Sequence, residues 1–493
     1  MEPQELLEQS FRHHQNGDLQ QALSLYDQVL ENAPDHGQAL NMAGIAHAAL
    51  GEDAASLACL EKATRLYPDY ANAFANLGIV LHGQRRYEEA AAAQRRVIEL
   101  EPGDVDAHNQ LGIELRNLGK YQGAIEAFER AIELDPDNIA AHTNLGNVLQ
   151  DTDRMEEAAA SYRRAIALEP EFTSALRGLG NALQRLGREA EALDSYRRAV
   201  AAEPGYVRAL VDLGGALVET GQKEEGAECL RQAAEREPED AYIHANYGID
   251  LHELGRFEEA IESFDRALAL EPGNTHALSY KTISLHELHR GVEFNFITQL
   301  DLLVRRLELP LPEGFESIAA FNQALADYAY QHPSLWGGRR RGITSELFLD
   351  AEGTALILRE QVRKAIESYI RDLPGDLDHP FVNRRPAKFI LSGWANVLDA
   401  GADAHVHPNA WLSGAYYVRT GGIVDPGDNT QGGCIEVGPP EKTHYQTEDY
   451  PRRVFEPKEG CLVVFPSYVW HRILPFENRG ERISYAFDVV TVD

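Results

Sequence analysis

Through roughly the first 290 residues, apolar side chains return every three or four positions in paired stretches broken by short polar turns, the spacing of amphipathic helices laid end to end. One such pair is "NAFANLGIVLHGQRRYEEAAAAQRRVIELEP", two helices with a polar turn between them and proline closing the second. Prolines fall at 34, 68, 102, 136, 170, 204, 238 and 272, and glycines at 44, 78, 112, 146, 180, 214 and 248. A small residue follows twelve positions later at Ala90, Ala124, Ala158, Ala192, Gly226 and Ala260. Three series in one 34-residue register predict a repeat array whose helices approach closely at the small positions.

The register is lost near residue 290. Residues 291–375 still carry helical spacing in "NFITQLDLLVRRLEL", "IAAFNQALADYAYQHP" and "ALILREQVRKAIESYIRDLP", with "SLWGGRRRGIT" reading as a loop. From about residue 386 the pattern shortens to apolar or alternating runs between glycine, proline and asparagine: "AKFILSGWANVL", "LSGAYYVRT", "CIEVG", "CLVVFP", "WHRILPF" and "RISYAFDVV". These predict a sandwich or barrel, with a double-stranded β-helix of the jelly-roll or cupin kind among the candidates. The expected organisation is therefore an all-α repeat array over 1–290, a helical lead-in over 291–385 and a strand-built domain over 386–493.

Composition narrows the function classes. At 493 residues, 44% hydrophobic and 25% charged, the chain reads as a soluble multidomain protein. A formal net charge of −32 opposes binding to nucleic acid or to an anionic membrane surface. Residues 1–290 hold 50 acidic and 26 basic side chains, so most of that charge belongs to the repeats. Cys59, Cys229, Cys434 and Cys461 are too scattered for a disulfide framework or a zinc site. No apolar run is long enough to span a bilayer and "MEPQELLEQSFRHHQ" has no signal-peptide pattern, which makes a cytoplasmic location the expectation.

The repeat unit "LGIELRNLGKYQGAIEAFERAIELDP" resembles the tetratricopeptide repeat. Eight units fit between residues 3 and 274, with Ser10 in place of the first glycine, and residues 275–289 would cap the last exposed apolar face. The resemblance implies a groove that holds a peptide or protein partner, and the acidic balance favours a basic or neutral one. Asn76, Asn144 and Asn246 stand two residues before the glycine. In the resembling repeats of O-linked N-acetylglucosamine transferase that position holds a peptide backbone; solvated polar residues are the alternative. His108, His142 and His244 share one repeat position and are too widely spaced for one metal site.

"HVHPNAWLSGAYYV" at 405–418 carries the candidate chemistry. Residues two apart on a strand share a face, so His405 and His407 can both reach one metal ion, and imidazole suits iron, copper, nickel or zinc. His471 offers a third donor. Arg482 and Ser484, again two apart, suit a small buried carboxylate.

In combination, HxH before an aromatic strand, a distal histidine and RxS resemble the iron(II)- and 2-oxoglutarate-dependent dioxygenases, above all their bacterial and phage branch. The resemblance implies Fe(II) held by His405, His407 and His471, with 2-oxoglutarate held at its distal carboxylate by Arg482, Ser484 and Tyr417. It also implies decarboxylation to succinate coupled to hydroxylation, here of a peptide or protein side chain recruited by the repeats. His407 departs from the usual pattern, which has a carboxylate at that position; Asp425 is the alternative third ligand. "PGDNTQGGCIEVGPPEKTHYQTEDYPRR" is a candidate lid or substrate rim, or an ordinary surface excursion. The competing expectation is a tetratricopeptide interaction scaffold with a non-catalytic jelly-roll domain.

Overall fold

The computed structural model describes residues 3–332, 340–342, 347–349, 351–375, 377–398, 402–420, 431–444, 449–476 and 482–492. The chain forms two compact units, Met1–Thr220 and Gly221–Asp493.

The first unit is built of paired helices of 13 and 14 residues, such as Val105–Asn117 with Tyr121–Leu134 and Ile139–Asp151 with Met155–Leu168. Gly44, Gly78, Gly112, Gly146 and Gly180 of the first helices each lie against a large side chain of the second. At Gly112 an added Cβ would stand 2.5 Å from the Phe128 ring, so any side chain there would push the helices apart. Successive repeats are also tied through polar atoms. Arg96 and Arg198 donate to the carbonyls of Pro68 and Pro170, 28 residues earlier, which satisfies backbone acceptors left over where a helix ends. His108 and His142 donate through Nε2 to the carbonyls of Pro102 and Pro136, so these repeat-position histidines are structural.

The second unit opens with the helices Lys223–Arg236, Ala241–Glu253, Phe257–Leu270 and the expected cap, Thr275–Glu287. Its strands are β1 (Arg305–Glu308), β2 (Arg340–Gly342), β3 (Phe389–Leu398), β4 (Ala402–His405), β5 (Leu412–Arg419), β6 (Ile435–Gly438), β7 (Arg453–Phe455), β8 (Cys461–Pro466), β9 (Trp470–Ile473) and β10 (Arg482–Thr491). They form two antiparallel sheets, a six-stranded one in the order β1-β8-β5-β10-β3-β2 and a four-stranded one in the order β4-β9-β6-β7. This is the jelly-roll-like arrangement expected. The lead-in differs in detail from its helical reading. Gln299, in the left-handed region at φ 34°, interrupts the helix that begins at Gly291, and "RRLE" then extends as β1 along β8. The long helix Gly353–Asp372 buries Leu358, Val362, Ile366 and Tyr369 in the same core.

The repeats in this unit share that core. Ile261, Leu278, Ile283 and Leu285 are buried in one cluster with Trp411, Tyr468 and Trp470 of the strand domain. Ser279 Oγ donates to the Tyr468 carbonyl at 2.7 Å, and the Tyr280 ring meets Trp470 edge-on at 5.9 Å. His252 Nε2 lies 2.8 Å from the His444 carbonyl. On β9, Trp470 and Arg472 alternate with His471 and Ile473, so the repeats back the face of the small sheet opposite the one that carries His471.

Candidate metal centre

Strand pairing assembles the site from distant parts of the sequence. His405 ends β4 directly opposite His471 on β9. His407 lies just beyond the strand, where its backbone N–H donates to the Ser467 carbonyl at 3.0 Å and turns the side chain back toward the other two. The ring centroids stand 5.2 Å apart for 405 and 407, 4.3 Å for 405 and 471, and 5.0 Å for 407 and 471. One potential ligand atom from each lies within 4.8 Å of the others, a spacing that a single ion can span.

The outer nitrogens are already engaged. His405 Nδ1 lies 2.9 Å from the Asp403 carbonyl, His471 Nδ1 3.4 Å from the Val469 carbonyl and His407 Nδ1 2.8 Å from Asp488 Oδ1. Acceptors at Nδ1 leave Nε2 as the donor to a metal, the usual second layer of a histidine site. His407 Nε2 is buried with no hydrogen-bond partner among the described residues. Burial, followed by the neighbouring His405 and His407, pushes the His471 pKa well below its ordinary value, which keeps that ring neutral and able to ligate.

The same three side chains line a cavity of about 240 Å³ together with Trp394, Tyr417, Arg482 and Ser484. Arg482, Ser484 and Ala486 line it from one face of β10, and the same alternation carries on to Asp488 beside His407. Arg482 is 1% exposed, and its Nε and Nη1 have no partner among the described residues. The Tyr417 hydroxyl beside it is also buried, with no acceptor among the described residues, and the guanidinium carbon stands 5.2 Å from the ring centroid. Burial lowers the Arg482 pKa, and burial raises that of Tyr417 against the opposing charge of Arg482. An unpaired buried cation costs several kcal/mol on the order of a lost ion pair, so this end of the cavity is suited to an anion. Three imidazoles and a cationic terminus fit an iron(II) ion and a dicarboxylate such as 2-oxoglutarate.

The structure thus brings together His405, His407, His471, Tyr417, Arg482 and Ser484. Asp425 lies outside the described residues, as do 426–430 and 445–448 of the candidate rim, whose centre forms β6. Sequence reasoning missed Asp488 and Trp394, whose ring stacks on His407 at 5.7 Å and 19°. The HxH stretch gave no sign of either, because both reach His407 through sheet pairing rather than through nearby sequence. In the first unit, Asn76 Nδ2 donates to Asn41 Oδ1 at 3.0 Å and Asn144 Nδ2 to Asn109 Oδ1 at 3.1 Å, linking adjacent repeats side by side. In the second unit, Asn246 is half-buried on the helix Ala241–Glu253.

Comparison with known proteins agrees with this geometry. Residues 392–488 match the family described as "Putative 2OG-Fe(II) oxygenase", and tetratricopeptide families match at 13–58, 54–105, 114–153, 143–207 and 211–275. Similar solved structures include YrrB, titled a TPR protein with an unusual peptide-binding site, at 24% identity over 38% of this chain and 97% of that one, with a TM-score of 0.33. MamA from Desulfovibrio magneticus RS-1 is 25% identical over 34% of this chain and 96% of that one, with a TM-score of 0.33. PilF of Pseudomonas aeruginosa is 20% identical over 43% and 96%, with a TM-score of 0.39. No curated protein matches the chain. The oxygenase family implies Fe(II) and 2-oxoglutarate, which the three imidazoles and the cationic cavity fit. The chain is therefore a tetratricopeptide-repeat protein with a C-terminal domain of the 2OG-Fe(II) oxygenase family.

Proposed function

We propose that the protein is an iron(II)- and 2-oxoglutarate-dependent oxygenase that hydroxylates a peptide or protein recruited by its repeats. The observation that carries this reading is the buried Arg482, whose Nε and Nη1 have no partner among the described residues, in a cavity that also holds a three-histidine cluster. His405, His407 and His471 would hold the iron, and Arg482, Tyr417 and Ser484 would receive the distal carboxylate of the cosubstrate. Bound together, these two groups supply the oxidation of a C–H bond by dioxygen, with succinate and carbon dioxide as the other products. The protein's share is orientation and exclusion of water. Tyr417 and Arg482 offer donors where charge must be met, Ser484 lies on the same strand face, and Phe465 packs 4.3 Å from the His471 ring to wall the centre from solvent.

Recruitment of a peptide is supported by the repeat matches and by Asn76 and Asn144, whose side-chain amides bond to the preceding repeat and whose own oxygens could accept a backbone N–H. The test is succinate formation by the full chain with iron(II), 2-oxoglutarate and ascorbate over a peptide array, reading the gain of one oxygen atom by mass. Peptides that bind the repeats should stimulate turnover and be oxidised. Arg482→Ala should weaken 2-oxoglutarate binding by about a hundredfold, the scale of removing one partner from a desolvated ion pair. Unchanged cosubstrate binding in R482A, with no turnover on any bound peptide, would favour the scaffold reading.

A further inference from the structure

A triad of two histidines and a carboxylate carries negative charge to its metal, whereas three neutral imidazoles carry none. In this chain a carboxylate reaches the cluster from behind. Asp488 on β10 contacts His407 Nδ1 with both oxygens, at 2.8 and 3.0 Å. It is itself fixed: Ser413 Oγ donates to Asp488 Oδ1 at 2.7 Å and lies 2.8 Å from Ser467 Oγ. Ser467 in turn holds the His407 backbone N–H through its carbonyl, and Trp394 stacks against the imidazole plane. The result is a closed circuit of contacts from β5, β10 and the turn before β9, all converging on one imidazole.

We propose that Asp488 is the charge-compensating positioning residue of the metal centre, taking through His407 the part that a ligating carboxylate has in the common triad. This rests on reading the three imidazoles as a metal site. The carboxylate fixes His407 as the Nδ1–H tautomer, which points the Nε2 lone pair into the cavity and makes it a stronger donor. The negative charge remains one hydrogen bond away from the ion, where it offsets the ion's charge without occupying a coordination position. Ser413 and Ser467 hold the carboxylate in the single orientation that serves His407.

A brace that merely ties β10 to β5 would predict something different, because an amide at 488 can still accept from Ser413 and from His407 while lacking the charge. The test is an anaerobic titration of the metal-free full chain with Co(II), followed by its d–d absorption. Wild type should bind one ion, and His471→Ala should abolish that site. Asp488→Asn should weaken binding by at least about tenfold and shift the d–d bands, the range seen when such outer partners are removed. Asp488→Glu should recover part of the loss. In a His407→Asp background, where the ligand carries its own charge, D488N should cost less than about threefold, since the coupling between the two positions is then gone. D488E against D488Q gives the same contrast if D488N does not fold. D488N binding within about twofold of wild type, while H471A abolishes it, would overturn the role of Asp488 and leave the centre standing. Wild-type binding no tighter than that of H471A would overturn the centre itself.

Discussion

Single side chains in this protein reveal their roles by what they lack. Among the described residues, Arg482 is buried without an acid, Tyr417 without an acceptor, and Asp250 without a donor to its Oδ2. The first two share a cavity and point to a ligand. Asp250 stands where the other repeats have Ala46, Val80, Val148, Ala182 and Ala216, two residues after the repeat glycine, with Glu114 as the other exception. Burial, then the nearby charge of Glu253, raises the Asp250 pKa to about 7 despite Lys223. A carboxyl raised in the fold keeps its proton there after the unfolded chain has lost it, so stability falls as pH rises from about 4 to about 7. Asp250→Val should therefore stabilise the protein by about 1–3 kcal/mol at pH 8 and by less at pH 5, which urea unfolding at the two pH values will measure.

At the level of elements, the two halves of the chain differ in what their sequences disclose. The repeat helices were legible because each obeys a local rule repeated many times: a glycine facing Phe128 or its equivalent, and a proline at each end. Gly112→Val should cost about 1–3 kcal/mol by forcing that helix pair apart, read as a lower melting temperature of the full chain. Arg482 and Ser484 were legible for a related reason, since residues two apart on a strand must share a face, whereas His407 lies just beyond β4 and joins His405 through the turn that its backbone N–H makes with Ser467. The short edge strands were not. "RRLE" has no apolar alternation of its own and becomes β1 through hydrogen bonds to β8, more than 150 residues later. Asp488 and Trp394 were hidden in the same way. Each belongs to a strand with an ordinary apolar pattern, and only the pairing of β10 with β3 and β5 places them around His407. The position where the sequence departs from the common oxygenase pattern is thus explained by a residue 81 positions away.

Considered whole, the chain has a division of labour that its repeat period conceals. By period, residues 221–289 are the second helix of one pair, one further pair and a cap, yet they bury Ile261, Leu278, Ile283 and Leu285 in the core of the strand domain. A fragment spanning 221–493 should fold cooperatively. One spanning 291–493 should expose Tyr468 and Trp470 and lose several kcal/mol, because each large buried side chain contributes about 1.5–3 kcal/mol. Circular dichroism melts of the two fragments will distinguish them, and Trp470→Ala in the longer one should reproduce part of the loss. No helix among the described residues is long and apolar enough to cross a membrane.

The contact of Ser279 and Tyr280 with Tyr468 and Trp470, immediately before His471, sets a rule for how such a chain can change over generations. The constraint falls on the repeats that share a core with the strand domain. The final repeats have become part of its foundation, and a recombination event that exchanged them would have to bring a matching β9 along. The last repeats and the strand that bears His471 are thus inherited as one piece.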